Sequence, residues 1–526
     1  MKLEIRGSDH EYKYVVEQSL LALFPQERPV YEPVDRENDQ RWAVITLREE
    51  GDQCQVTVEL GWDGVSAPAS ITVDLSGDDY AREGQRRRGI GMCFFRAAKA
   101  VTGITPPWGS LTGIRPAKVA AELLEQGRTP EEAEHALEEI YFVTPQRARL
   151  CMDAALAAQR AEALLEEKDI SLYIGIPFCP TRCAYCSFVS NSVEKSFHLV
   201  EPYLEALGRE IEAAAALVKD LGLRVRSFYM GGGTPTTLTA PQMDRLLTAV
   251  ESAFDMSASV ETTVEAGRPD TITREKLEVL RRHGVSRVSV NPQTMEDHVL
   301  RAIGRRHTAD QIREVMALVT AMGFPHVNMD LIAGLPEDTP EGFRRSLDEV
   351  MAFGTDNITV HTLSLKKGSR ITLEGTRIPT VDEVGEMLDY ANGALRAGAL
   401  PPITSTGRST SPAALRIRAG ARAAARDGTT FSLWRNSTPS SAWGPAAPPK
   451  WSAPPGTGSS GHSTASSPRS ICSVRRRSRK ISALSGHSMS RWGEAPSRKK
   501  GACYGVFPER DQRSRLQRPQ GVRGRV

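Results

Sequence analysis

Three cysteines crowd one short stretch of the chain. Cys179, Cys183 and Cys186 are spaced C-x3-C-x2-C within Tyr173–Phe188, YIGIPFCPTRCAYCSF, directly after an apolar run. Thiolates bind iron and zinc well. A structural zinc wants four ligands in a closed tetrahedron. Here Ser187 and Phe188 follow, with no Cys or His within the next few residues. Three thiolates on a four-iron cluster leave one iron open, and that iron can chelate a small molecule, unlike the fully ligated clusters of ferredoxins. The plainer readings are a zinc site completed by a distant ligand, or three unliganded thiols. The other five cysteines, Cys54, Cys93, Cys151, Cys472 and Cys503, are scattered. That pattern points to metal binding or catalysis, not to a disulfide framework.

A second group of chemistry-bearing residues follows. Gly231–Thr236 reads GGGTPT after an apolar stretch. Glycines let the backbone approach a ligand without Cβ obstruction, and N–H and C=O groups exposed there can bind a zwitterion. Glu265 lies in ETTVEAGRPD, Gln293 in VSVNPQTM, Arg305 in GRRHT and Asp330 in NMDLIAGLP. A carboxylate at such a place suits ribose hydroxyls or an ammonium group. Taken singly, each also reads as an ordinary polar residue at a strand end. In Pro107–Lys118, PWGSLTGIRPAK, Arg115 and Lys118 suit either an anion-gripping loop or a plain turn. His307 and His361 read as structural, with ligand binding as the other possibility. No residue is assigned a catalytic role.

These residues need elements to hold them. Candidate strands are Leu172–Ile176, Ser227–Met230, Glu261–Glu265, Arg287–Val290, His326–Leu331 and Asn357–Thr362. Helical patterns lie between them, at Pro202–Leu221, Pro241–Ala253, Arg274–His283, Ala309–Met322 and Pro340–Ala352. Six strands with helical crossovers predict an α/β core, a parallel sheet curved into a partial (β/α)6 barrel. The chemistry then belongs at the C-terminal ends of the strands, where the motifs fall. Upstream, Trp42–Leu47 and Gln55–Leu60 alternate as half-buried strands. Helical patterns follow at Pro130–Tyr141 and Gln146–Glu167. The expected organisation is a small α+β domain over 1–165, the core over 166–365, the start of a truncated C-terminal domain over 366–401 and a disordered basic tail over 402–526.

Charge marks the same break. Residues 401–526 hold 23 Lys and Arg against 4 Asp and Glu, a net of +19, whereas residues 1–400 carry −16. The tail is rich in Ser, Arg, Pro, Ala and Gly and cannot bury enough apolar surface to offset the entropy of ordering. No run of about 18 apolar residues exists, so no membrane span is expected. The polar start, MKLEIRGSDHEYKYVVEQ, is no signal peptide. The expected compartment is the cytoplasm.

The cysteine loop with its flanks resembles the signature of radical S-adenosylmethionine enzymes. The resemblance implies a [4Fe–4S] cluster on Cys179, Cys183 and Cys186. Its open iron then holds the amino and carboxylate groups of S-adenosylmethionine, which one electron cleaves to methionine and a 5′-deoxyadenosyl radical. With Gly232, Gly233, Thr234, Glu265, Gln293, Arg305 and Asp330, and with Tyr173 and Tyr185 as cofactor-lining aromatics, about 190 residues resemble the oxygen-independent coproporphyrinogen III oxidases. Gly175 and the PWGSLTGIRP domain resemble the HemZ-type dehydrogenases of that group. The implied reaction is oxidative decarboxylation of two propionates of coproporphyrinogen III, giving protoporphyrinogen IX, with an electron donor and an electron acceptor as partners. Two departures from the well-studied oxidases stand out. Phe188 replaces a fourth cysteine, as in the haem-chaperone relatives, and Gly175 replaces a histidine. A haem-binding chaperone on the same scaffold is therefore the alternative reading. An inactive, frameshifted product is another.

That last reading comes from Ile403–Arg408, ITSTGR. Codons for these residues, read in a shifted frame, can spell Tyr-Leu-Tyr-Arg-Gln, which resembles the family segment due at this place. The tail also holds 4 of the 7 Trp residues with no apolar pattern to bury them. A genuine basic tail for acidic partners or nucleic acid is the competing reading. A nucleic-acid partner is not expected.

Overall fold

A computed structural model describes residues 1–7, 12–111, 116–186, 190–363 and 377–407, with 415–420 and 471–476 as backbone strands. The chain opens with a four-stranded sheet in the order β1 (Lys2–Arg6), β2 (Arg41–Glu50), β3 (Gln53–Trp62), β4 (Val65–Asp74). β1 runs parallel to β2, and the others are antiparallel. Alternation in β3 puts Cys54, Val56, Val58 and Leu60 on one buried face. Helices Lys13–Leu23 and Asp79–Thr102 cover that face, and together they form a core of their own.

Helices Pro116–Glu125, Pro130–Glu139 and Pro145–Ala163 come next. Their apolar residues, among them Ala120, Leu137, Leu150 and Met152, belong to the second core, which they share with the barrel. Arg147 pairs with Asp389 at 2.6 Å and Arg396 with Asp153 at 2.5 Å, tying this helical layer to the last helix, Val381–Ala397.

The barrel strands are β5 (Asp169–Ile176), β8 (Arg224–Gly232), β9 (Glu261–Gly267), β10 (Arg287–Gln293), β11 (His326–Ala333) and β12 (Asn357–Thr362). They pair in that order, all parallel. Each expected strand is present, and five of the six run a few residues longer than the pattern predicted. Two-residue strands β6 (Phe178–Cys179) and β7 (Asn191–Ser192) clamp the cysteine loop.

Period-two alternation divides the barrel. One face of the strands carries Leu172, Ile174, Phe228, Met230, Val264, Val288, Val290, Met329, Leu331, Ile358 and Val360, all buried beneath the crossover helices. Each such side chain contributes about 1.5–3 kcal/mol to folding. The other face carries Ser171, Tyr173, Ser227, Tyr229, Thr263, Glu265, Ser289, Asn291, Asn328, Asp330, Thr359 and His361. A closed eight-stranded barrel fills its interior with branched apolar side chains. This open one lines its interior with polar groups, as a binding site requires. Capping boxes at Thr239/Gln242, Thr308/Gln311 and Thr380/Glu383 start three helices where Thr-x-x-Gln/Glu falls in the sequence.

Three tail segments are strands: β13 (Pro402–Gly407) pairs with β14 (Leu415–Gly420), β14 with β12, and β15 (Ile471–Arg476) with β5. The rest of the expected disordered tail, like Arg115 and Phe188, lies outside the described residues.

Candidate functional site

The cysteine loop leaves the end of β5 and is pinned on every side. Asn191 N–H donates to the Pro177 carbonyl at 2.9 Å, and Ser192 Oγ to that of Pro180 at 3.1 Å. Ala184 N–H donates to the Ile303 carbonyl at 2.9 Å. Cys183 is buried, while Cys179 and Cys186 are half-buried. Among the described residues no three His, Cys, Asp or Glu side chains converge on one ion. A four-iron cluster spreads its thiolates, one to each of three irons.

The glycine turn at the end of β8 packs straight onto this loop. A Cβ at Gly233 would lie 2.5 Å from the Phe178 carbonyl oxygen and 3.0 Å from Cys179 Sγ. Gly232 sits at φ +109, open to glycine but strained for other residues. Thr234 Oγ1 lies 3.6 Å from Cys179 Sγ. The N–H groups of Gly233 and Thr234 donate to the carbonyls of Ile176 and Phe178, each at 2.7 Å. Those two N–H groups thus tie the turn to the end of β5 and to the start of the cysteine loop.

The inner face of the barrel gathers most of the remaining candidates. Tyr173 and Tyr229 stack with centroids 6.1 Å apart, and Tyr229 OH donates to Glu265. The Glu265 carboxylate lies beside Gly231, where a Cβ would come within 3.1 Å of it. Further round, Asn328 Nδ2 donates to Ser289 Oγ at 2.7 Å and to Asp330 Oδ1 at 2.8 Å, while Thr359 donates to Asn328 Oδ1 at 3.0 Å. His361 Nε2 stands 3.3 Å from Asp330 Oδ2. Sequence reasoning missed Tyr229 and Asn328; strict alternation along β8 and β11 was the signal that could have found them.

Arg305 is buried and reaches from beyond β10. It donates to the Asn291 carbonyl at 2.6 Å and to Tyr185 OH at 3.2 Å. It thus braces the aromatic residue between Cys183 and Cys186. Gln293 is buried at the end of β10 with φ +72, where the register of β10 with β11 shifts. A left-handed glutamine costs about 1–3 kcal/mol, strain of the kind that clusters at functional sites. Gly175 faces Gly231 across the β5–β8 ladder, and its carbonyl accepts from Tyr203 OH. A side chain there would come within 3.3 Å of the Tyr173 ring.

His307 is not placed as a ligand of a large planar molecule, since its side chain is wholly buried. Its Nδ1 faces Asp270 at 3.8 Å, and among the described residues neither ring nitrogen has a hydrogen-bond partner. Burial pushes the His307 ring down from its ordinary value. For Asp270, burial acts upward, but His307 and Arg268 outweigh it and hold the carboxyl well below its usual range. Arg268 and Asp270 were absent from the sequence-derived candidates.

The donor set fits an iron–sulfur cluster with a polar ligand beside it: three thiolates on one loop, a glycine turn that admits no Cβ, and carboxylates and aromatics at the adjoining strand ends. Comparison with known proteins agrees. The Radical SAM superfamily matches residues 173–350. The oxygen-independent coproporphyrinogen-III oxidase-like protein HemZ of Bacillus subtilis is 36% identical over 404 residues, 74% of this chain and 79% of that protein. The heme chaperone HemW of Lactococcus lactis is 31% identical over 43% of this chain and 58% of its own length. Among solved structures, the coproporphyrinogen III oxidase HemN of Escherichia coli is 26% identical, with a TM-score of 0.41, covering 47% of this chain and 56% of that one. The superfamily's cofactors are a [4Fe–4S] cluster and S-adenosylmethionine. The chain belongs to the radical SAM superfamily, in the group of the oxygen-independent coproporphyrinogen-III oxidase-like proteins.

Proposed function

We propose that this fold serves oxygen-independent oxidative decarboxylation of coproporphyrinogen III to protoporphyrinogen IX in the cytoplasm. The observation that carries the reading is the polar inner face of the barrel opening beside the three-cysteine loop. Cys179, Cys183 and Cys186 would hold the cluster. Glu265, Gln293, Arg305, Asp330, Tyr173, Tyr185 and the turn Gly232–Thr234 would line the cofactor. The bound group supplies a carbon radical able to take a β-hydrogen from each propionate. Each propionate then loses CO2 and one electron, which an external acceptor takes up. The protein's own contribution is placement and exclusion of water: Tyr229 fixes the Glu265 carboxylate, Asn328 fixes Asp330, and Arg305 fixes Tyr185.

A second reading has support of its own. Relatives named heme chaperones are similar to part of this chain, and the Cys-x-x-Cys-x-Phe ending of Cys183–Phe188 resembles theirs. A third concerns this product alone, namely that its frame shifts near Pro402 and the substrate-covering C-terminal domain, whose start is residues 366–401, is missing. One experiment separates the three. The chain and a frame-restored version are reconstituted anaerobically and incubated with coproporphyrinogen III, S-adenosylmethionine and a reductant. Protoporphyrinogen from both supports the oxidase. Product from the restored version alone supports the frameshift. Product from neither, with tight haem binding in a spectroscopic titration, supports the chaperone.

A further inference from the structure

We infer that Arg268 is a positioning residue for the cluster's electronic state, a fixed cation held against Cys183 that makes the cluster easier to reduce. The inference rests on the three-cysteine cluster and not on the identity of the substrate. Arg268 leaves the end of β9 and is 3% exposed. Its Nε and Nη2 grip both oxygens of Asp270, at 2.9 and 2.6 Å. Its remaining terminal nitrogen, Nη1, donates to Thr181 Oγ1 at 2.7 Å and stands 4.0 Å from Cys183 Sγ. A bidentate pair locks the planar guanidinium in one orientation. Behind it Lys276 pins the neighbouring turns, donating to the carbonyls of Thr236 at 2.5 Å and Thr271 at 2.9 Å, and Thr271 Oγ1 closes back on the Arg268 carbonyl at 2.8 Å. The cation is therefore held by an assembly that the substrate reading does not use.

Its consequence follows from charge. A [4Fe–4S] cluster on three thiolates carries a net −1 when oxidised and −2 after one electron arrives from an external low-potential donor, which loses that electron. The Arg268–Asp270 pair is neutral overall, but its cationic end is the one turned to Cys183, and that orientation favours the more negative state. Net charge, hydrogen bonds to sulfur and burial are the levers that set such potentials. Thiolate-directed Arg268 thus raises the midpoint.

The test is a redox titration of the anaerobically reconstituted full chain, followed by electron paramagnetic resonance, with iron counted in each sample. In R268Q the midpoint should fall by roughly 59 mV, a tenfold change in the one-electron equilibrium. R268K should lie closer to wild type. An R268Q cluster with four irons and an unchanged midpoint overturns the inference, as does R268K falling as far as R268Q. If R268Q does not assemble, assembly in R268K supports a requirement for charge, and failure of both shows a packing role and overturns it. A wild-type chain with no cluster would instead sink the cluster reading itself.

Discussion

Cys183 is the most buried of the three cysteines and the one that the Arg268 guanidinium approaches. Replacing it with alanine should abolish the cluster and all cleavage of S-adenosylmethionine. Iron content and 5′-deoxyadenosine formation check this, and a Cys183→Ala protein with four irons would contradict it. Glu265 and Asp330 stand on the inner face, each held by a neighbour. Glu265→Ala and Asp330→Ala should keep the iron and weaken S-adenosylmethionine binding. The loss should be about 10- to 100-fold, the weight of one or two hydrogen bonds to a charged group. Unchanged affinity in both variants would refute the placement. Asp338 offers a test of a different kind. It is 1% exposed, its Oδ2 has no hydrogen-bond partner among the described residues, and burial with help from Glu296 pushes its carboxyl up to about 6. A carboxyl raised in the folded state binds more protons there than in the unfolded chain, so its contribution to stability falls as pH rises from about 4 to 6. Asp338→Asn should therefore stabilise the protein at pH 8, by up to about 3 kcal/mol, with the advantage shrinking toward pH 5. Melting temperatures at the two pH values check the sign. The ligand cysteines were legible because their spacing is local. Arg268 and its partner Asp270 were not, because the meaning of Arg268 depends on meeting the cysteine loop in space across some 90 residues of chain.

The strands were readable as elements because each buries one face: Asn357–Thr362 matches its expected bounds, and β5 and β8–β11 extend theirs by residues at their ends. The extensions matter. Gly231 and Gly232 end β8, Gly267 ends β9 and Gln293 ends β10, so backbone pairing reaches into the site and carries its geometry. Less legible was where the first domain stops. A helix pattern such as Gln146–Glu167 announces an apolar face without saying what covers it. The structure puts that helix, Pro145–Ala163, and its two predecessors in the core shared with the barrel. We therefore propose that the independent unit ends near Gly103 and not near residue 165. Glu166 N–H is bound to Asp169, whose carboxylate is clamped by Arg224, so that junction is tied down. Limited proteolysis should cut between Gly103 and Trp108 and release a folded N-terminal fragment. A stable fragment of residues 1–165 from cleavage at Glu166–Asp169 would contradict this.

Across the whole molecule, a half-barrel with an apolar outer face and a polar inner one is joined to an N-terminal sheet domain and a basic tail. No helix among the described residues is long and apolar enough to cross a membrane. Polar inner residues are what the fold supplies beyond the motifs: they line the inner face with hydrogen-bonding groups and hold the Glu265 and Asp330 carboxylates there. The tail is the one region where composition and family resemblance part, and resequencing the gene across Pro402–Arg408 should show a frame change there. The central claim is that three cysteines hold four irons and leave one iron to S-adenosylmethionine. Its most direct measurement is electron paramagnetic resonance of the reduced, anaerobically reconstituted chain, with and without S-adenosylmethionine, alongside a metal count. The account predicts close to four irons per chain and a signal that changes when S-adenosylmethionine is added. A single zinc per chain, or a cluster signal that S-adenosylmethionine leaves untouched, would contradict it.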